Sequence, residues 1–301
     1  MPFMSNQFMS KAPKNWQDLK QDLFGGAIFI LPPSPASLAM VADVKEAFAA
    51  ANGYDMHPLL HETHDEAAFS KSLHAARALI TPPAVSVPHI AAITGEFSGA
   101  QDDDLICDVL RLRGVAHIAD TAQSDAPAAP SHILAAHRDC WYANPQSQVN
   151  IWIPLFDVDP SRSFLFHPRY FNTPIANTSV AFDYDQWVKT VGFQSTNRHA
   201  ISNYPVPTEA IHDDHSTAFA AASGARVIFS PSHLHQTIAN TSGLSRFSVD
   251  FRVVSRHDIA QNRGAPNVDN ASHGAAQKDY VPVRAPSTVN ITAAAAKGAR
   301  P

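Results

Sequence analysis

Between Leu105 and Val254 the chain is written in short apolar or alternating runs, with no helix-length segment between them. The candidate strands are Ile106–Arg113, His132–Ala136, Gln148–Leu155, Ser163–His167, Val180–Phe182, Arg226–Ser230, His235–Ala239 and Arg246–Val254, bounded by clusters of Pro, Asn, Gly or Asp. Parallel strands need a crossover of helix length, and such crossovers are missing here. The texture therefore predicts a β-sandwich or barrel rather than a βαβ sheet. Residues 1–104 read differently, as a helical and mixed part packed on the barrel. Ala36–Asn52 carries Leu38, Val41, Val44 and Phe48 at helical spacing and stops at Gly53, and Ala67–Ile80 ends before Pro82-Pro83. Residues 255–301 form an extension poor in large apolar side chains. Within it Gln277–Arg284 is the only stretch expected to dock, and Thr292–Pro301 is expected to fray.

Composition removes several function classes. The 301 residues are 45% hydrophobic, enough to bury a substantial core. A formal charge of −5 without any Lys/Arg cluster argues against nucleic acid as a partner. Cys107 and Cys140 are too few for a disulfide framework or a thiolate zinc site, so a reduced, cytoplasmic setting is expected. The apolar run Gly26–Pro32 is too short to span a membrane. Sixteen histidines against twenty-two Lys and Arg invite a metal hypothesis, which position has to decide.

His137-Arg138-Asp139 is an H-x-D triplet at a strand end. On extended backbone residues i and i+2 point the same way, so an imidazole and a carboxylate can serve one metal. His235 is the best third ligand. Two His and one carboxylate occupy one face of an octahedron and leave three positions open, the arrangement of non-haem iron(II) oxygenases. After His235, Asn240–Gly243 reads as the turn of a hairpin that brings Arg246 back alongside the metal strand. A guanidinium facing into a barrel is costly unless it meets a carboxylate. Ser248 shares its face and adds a hydroxyl, so the pair describes a seat for 2-oxoglutarate. Arg252 has the same parity and is the alternative anchor.

The H-x-D, the distal His, the N-x-S turn and an Arg eleven residues after that His resemble the Fe(II)/2-oxoglutarate dioxygenases of the phytanoyl-CoA hydroxylase-like branch. The resemblance covers roughly residues 105–254. It implies a mainly β fold with flanking helices, a double-stranded β-helix (jelly-roll or cupin-like barrel), in a single catalytic domain over 1–301. It implies Fe(II), 2-oxoglutarate and O2, with succinate and CO2 as co-products of C–H oxidation. His137, Asp139 and His235 would hold the metal, and the eleven-residue spacing favours His235 over His233. Arg246, Ser248, Asn150 and Gln148 would bind the co-substrate, because relatives place a polar residue shortly before a pair like Ile153-Pro154. Trp141, Tyr142 and Asn144 sit where relatives contact substrate. Asp139 disfavours the halogenating variants, which lose that carboxylate. Arg162–Tyr170 departs from the family's usual turn, which leaves the substrate-side loop open.

Arg111 and Arg113 precede the metal strand and offer a basic contact to an anionic small-molecule substrate; oligomeric state is left open. A cupin-type metalloenzyme working without 2-oxoglutarate, and a non-catalytic jelly-roll binding protein, are the rival readings. His61-Glu62-Thr63-His64 lacks the i, i+4 histidines of a zinc protease. His212-Asp213-Asp214-His215 reads as a solvated loop.

Overall fold

The computed structural model describes residues 8–101, 103–118, 135–192 and 204–283. The strands are β1 (Phe8–Met9), β2 (Ile28–Leu31), β3 (Leu105–Cys107), β4 (Arg111–Val115), β5 (Val149–Pro154), β6 (Phe164–Phe166), β7 (Arg226–Phe229), β8 (His235–Thr237), β9 (Arg246–Ser255) and β10 (Val281–Pro282). The helices among the described residues are α1 (Trp16–Phe24), α2 (Pro35–Asn52), α3 (Leu60–Thr63), α4 (Glu66–Ile80), α5 (Pro83–Thr94), α6 (Tyr184–Thr190) and α7 (Arg256–Ala260). None of them is long and apolar enough to cross a membrane.

Eight strands form one mixed sheet in the order β1-β2-β7-β5-β9-β3-β10, with β4 also on β9, and β6 and β8 form a second, two-stranded sheet. Among the described strand pairs only β1–β2 is parallel. Period-two alternation sorts the long central strand β9. Phe247, Val249, Phe251 and Val253 join the helix-side core with Trp16, Leu19, Phe48, Phe69 and Leu73, while Arg246, Ser248, Asp250 and Arg252 take the opposite parity. Strand β5 repeats the pattern, sending Ile151 and Ile153 to the helices and Trp152 to a second core between the sheets with Phe164, Phe166 and Phe229.

The helix side is set by local chemistry. Ser34 caps α2, accepting from Ser37 N, Pro35 opens the helix, and Gly53 at φ +77° ends it. Asp65 caps α4, which buries Phe69, Leu73, Ala76 and Ile80 at helical spacing. A Cβ at Gly114 would lie 2.6 Å from Leu73 Cδ1, so glycine lets α4 lie close against β4.

Four expectations need correction. Asn240–Gly243 does not join a hairpin: β8 pairs with β6 and β9 with β3, β4 and β5, so the turn crosses between sheets. Asn240 makes that corner by donating to Val115 O and Leu244 O and accepting from Ser242. The run Ile106–Arg113 is broken, because four steps from Cys107 to Arg111 face three from Val253 to Asp250. Asp108 fills the irregularity, its carboxylate accepting from Arg252 N at 2.7 Å. Val180–Phe182 is not a strand: Asn177 Oδ1 accepts from Ser179 N and winds Ser179–Ala181 into a short 3-10 turn. Of His132–Ala136, residues 132–134 lie outside the described residues and Ala135-Ala136 belong to no strand. Gln277–Arg284 does dock as far as it is described, through β10 on β3, but Asp269 in the same extension is anchored too; Thr292–Pro301 lies outside the described residues.

Candidate metal centre

The two segments that carry the histidines are stitched together directly. His137 N donates to His235 O at 2.9 Å and His235 N to His137 O at 3.0 Å, an antiparallel bridge that stands the imidazoles side by side at 4.4 Å between ring centroids. His137 Nδ1 meets Ala135 O, and His235 Nδ1 meets His233 O, each at 2.9 Å. A carbonyl can only accept, so both Nδ1 atoms carry the proton and both Nε2 atoms are left as lone-pair donors. His137 Nε2 faces Asp139 Oδ1 at 3.6 Å. One ligand atom from each of His137, Asp139 and His235 lies within 4.8 Å of the others, close enough for one ion. Burial, with His137 beside it, lowers the His235 pKa to about 3, so the ring stays neutral and available to a metal.

His233 is excluded by its own bonds. Its Nδ1 contacts Ser230 and its Nε2 contacts Gly26 O at 3.2 Å, so neither nitrogen is spare.

Asp139 is held from behind. Burial would raise its carboxyl, but Arg252 beside it, aided by His137 and His235, keeps it well below the usual carboxylate range. Arg252 Nε lies 3.6 Å from Oδ2, and Gln148 Nε2 donates to the same oxygen at 3.4 Å. Gln148 also donates to Asn150 Oδ1 and accepts from Tyr280 OH at 3.0 Å, so its amide braces the carboxylate instead of facing the cavity. Arg252 is committed further to Asp108 at 3.0 Å.

Arg138, between His137 and Asp139, points the other way and is fully buried. It donates to Asp269, Ser232 O, Tyr170 O and Thr173 O. Asp269 also accepts from the Trp141 indole and Ile175 N. Asp269→Ala is expected to cost about 3–5 kcal/mol, because it strands a buried guanidinium. Denaturant midpoints would show it, and a loss under 1 kcal/mol would discount the clamp as a fold determinant.

A cavity of about 220 Å³ opens beside the triad, its wall including Asn150, Trp152, Phe164, Phe229, Arg246 and Asp250. Arg246 is 6% exposed and has no carboxylate within ion-pair distance among the described residues. Its Nη1 donates to Ser163 O at 2.5 Å, and its Nε has no hydrogen-bond partner among the described residues. Burial, with Arg113 nearby, lowers its pKa to about 10. Asn150 Nδ2 and Ser248 Oγ are likewise buried without hydrogen-bond partners among the described residues. Three of the residues predicted for the co-substrate therefore carry unused donors, and Arg246 supplies an unmatched positive charge.

No family model and no curated protein matches this chain. Solved structures do. EvdO2 from Micromonospora carbonacea var. aurantiaca, complexed with 2-oxoglutarate, is 12% identical at a TM-score of 0.43, over 82% of this chain and 94% of that one. SnoN, a non-heme alpha ketoglutarate dependent epimerase from nogalamycin biosynthesis, is 16% identical at 0.42, over 91% and 100%. ThoJ, a non-heme monooxygenase, is 13% identical at 0.43, over 82% and 78%.

The remaining predicted residues divide. Tyr142 packs edge-on against His137 at 5.3 Å, beside the centre. Trp141, expected at the substrate, is turned away: it is 0% exposed and its indole N–H is taken by Asp269. Asn144 likewise donates to Asp139 O and accepts from Tyr280, behind the ligand. Arg113 reaches the cavity wall, whereas Arg111 pairs with Asp108 at 3.0 Å. The uncertain segment Arg162–Tyr170 supplies β6, which places Phe166 opposite His235. His61 is bound to Ser245 and His64 to Tyr54, apart from the triad. Arg77, Asp108, Asp250 and Tyr280 went unforeseen; for Asp250 the parity of β9 was the available signal.

Proposed function

We propose that this chain is an Fe(II)- and 2-oxoglutarate-dependent oxygenase that oxidises a C–H bond of a small molecule, and that its two sheets are the halves of a double-stranded β-helix. The observation that carries this reading is Arg246, a buried guanidinium without a carboxylate partner among the described residues that lines the same cavity as the His137-Asp139-His235 set. A metal site alone would fit a cupin-type enzyme equally well. A metal site sharing its cavity with an unmatched cation fits a co-substrate that brings its own carboxylate.

His137, Asp139 and His235 would hold iron, their Nε2 and Oδ1 atoms being the donors left free by the surrounding hydrogen bonds. Arg246 would take one carboxylate of 2-oxoglutarate, with Asn150 and Ser248 adding donors. Iron and 2-oxoglutarate supply the oxidising chemistry from O2, giving succinate and CO2. The chain contributes position and dryness: Trp152, Phe164 and Phe229 wall the site with rings that exclude water, and Gln148 with Arg252 keeps Asp139 oriented. Hydroxylation, desaturation, epoxidation and ring closure all use this set of residues.

The test is succinate release by the iron-loaded full chain, screened over amino acids and carboxylic acids. Succinate is expected in proportion to oxidised substrate, and only with both iron and 2-oxoglutarate present. Turnover without succinate would put the cupin-type reading in its place. Failure to bind iron under anaerobic titration would favour the non-catalytic one.

A further inference from the structure

We propose that Arg77 and Arg113 form a subsite for an anionic group of the substrate, a carboxylate or a phosphate, at the open end of the cavity; this rests on the oxygenase reading above. Arg77 comes from α4, on the helix side of the large sheet, yet it lines the same cavity as the metal ligands. It gets there at the margin of β4, which pairs only with β9 among the described residues. Arg77 Nε donates to Leu112 O at 2.8 Å, which pins the base of the guanidinium to that strand. Arg113 is the next residue, its Nε 2.8 Å from Asp250 Oδ1 and its side chain 42% exposed, against 8% for His137 and 6% for Asp139. Exposure thus places Arg113 towards solvent and His137 and Asp139 away from it, with Arg77 and His235 both half-buried between them.

Charge makes the pair a binding site and not only a wall. The cavity is lined by Arg77, Arg113, Arg246 and Arg252 against Asp139 and Asp250. Arg252 is matched by Asp108 and Asp139, and Arg113 by Asp250. Arg246 and Arg77 are left without a carboxylate among the described residues. If the co-substrate answers Arg246, one cation still remains at the entrance. Burial, then repulsion from Arg113, lowers the Arg77 pKa to about 10, so it is still charged at neutral pH while its neighbourhood disfavours that charge. A ligand anion would offset both the lost hydration and the repulsion from Arg113. Its partners are a guanidinium fork whose Nε is already fixed and a second fork held in place by Asp250. The substrate class that follows is a small acid or phosphate ester, anchored by its anionic end at the entrance with its carbon skeleton directed towards the triad.

The experiment uses the full chain with Mn(II) and saturating 2-oxoglutarate, so that the Arg246 seat is filled, titrated with methyl phosphate or acetate against chloride at equal ionic strength. Thermal stabilisation reports binding. Either anion is expected to stabilise the protein, and Arg77→Gln or Arg113→Gln is expected to weaken that binding about tenfold or more. Arg77→Lys should fall between, since it keeps the charge and loses the fork. Affinity for 2-oxoglutarate should stay within about twofold in Arg77→Gln and Arg77→Lys, as expected for separate sites. Unchanged anion affinity in both Gln variants, or no response of the unmodified protein to either anion, would overturn the proposal. So would a loss of 2-oxoglutarate affinity in Arg77→Gln as large as in Arg246→Gln, which would place Arg77 in the co-substrate seat. If the unmodified protein ignores 2-oxoglutarate but binds anions in an Arg77-dependent way, the subsite stands and the oxygenase reading falls.

Discussion

His235→Ala is expected to reduce metal affinity by about 100-fold or more, since even changes to outer partners of a ligand cost ~10–100-fold. The reason is geometric: His235 Nε2 is left free when Nδ1 bonds His233 O, and it shares one small volume with His137 and Asp139. His233→Ala is the matched control, two residues away on the same chain. It should leave metal affinity nearly unchanged, because both nitrogens of His233 are already engaged by Ser230 and Gly26. It should still lower stability by about 1–3 kcal/mol, since buried polar groups lose a partner. Anaerobic calorimetry with Fe(II), beside melting curves of the metal-free proteins, separates the two effects. Metal affinity lost in His233→Ala and kept in His235→Ala would reverse the ligand assignment.

Arg246→Gln should spare the metal and weaken 2-oxoglutarate by about 2–5 kcal/mol, roughly 30- to several-thousand-fold. The ligand-free protein is expected to lose little stability. Removing an unmatched buried charge is favourable, while Ser163 O and Arg162 O lose a donor, and the two effects oppose. Arg252→Gln should behave in the opposite way. Its guanidinium is taken by Asp108 and Asp139, so metal affinity should drop by about 10–100-fold and 2-oxoglutarate binding should follow the metal. Titrating 2-oxoglutarate into Mn(II)-loaded variants distinguishes them. If Arg252→Gln alone removed co-substrate binding with the metal intact, the anchor would move to Arg252.

Much of the centre was legible in the chain because it depends on short-range geometry. The parity of an extended strand puts residues i and i+2 on one side whatever the fold, and this sufficed to group Arg246, Ser248 and Arg252. Helices α2 and α4 were equally readable, from apolar spacing and from the stops at Gly53 and before Pro82. Parity has a limit, however. It could not choose between Arg246 and Arg252, which face the same way. The two differ through Asp108, which approaches Arg252 and not Arg246, and whose place depends on the irregularity between β3 and β4.

The same limit explains Trp141 and the misread hairpin. Adjacency to Asp139 suggested that Trp141 faces substrate, but a 3-10 turn and a bond to Asp269, 128 residues away, turn it inward. Asn240–Gly243 is a turn, yet whether a turn folds a strand back on its neighbour or sends it to another sheet depends on the available partners. Residue types, parity and spacing by themselves single out His137, Asp139 and His235 as a candidate metal set and Arg246 and Arg252 as alternative anion contacts, but not Arg77. Only the tertiary structure decided which cations keep an unmatched charge, because neutralisation is a contact between distant segments that no local pattern encodes.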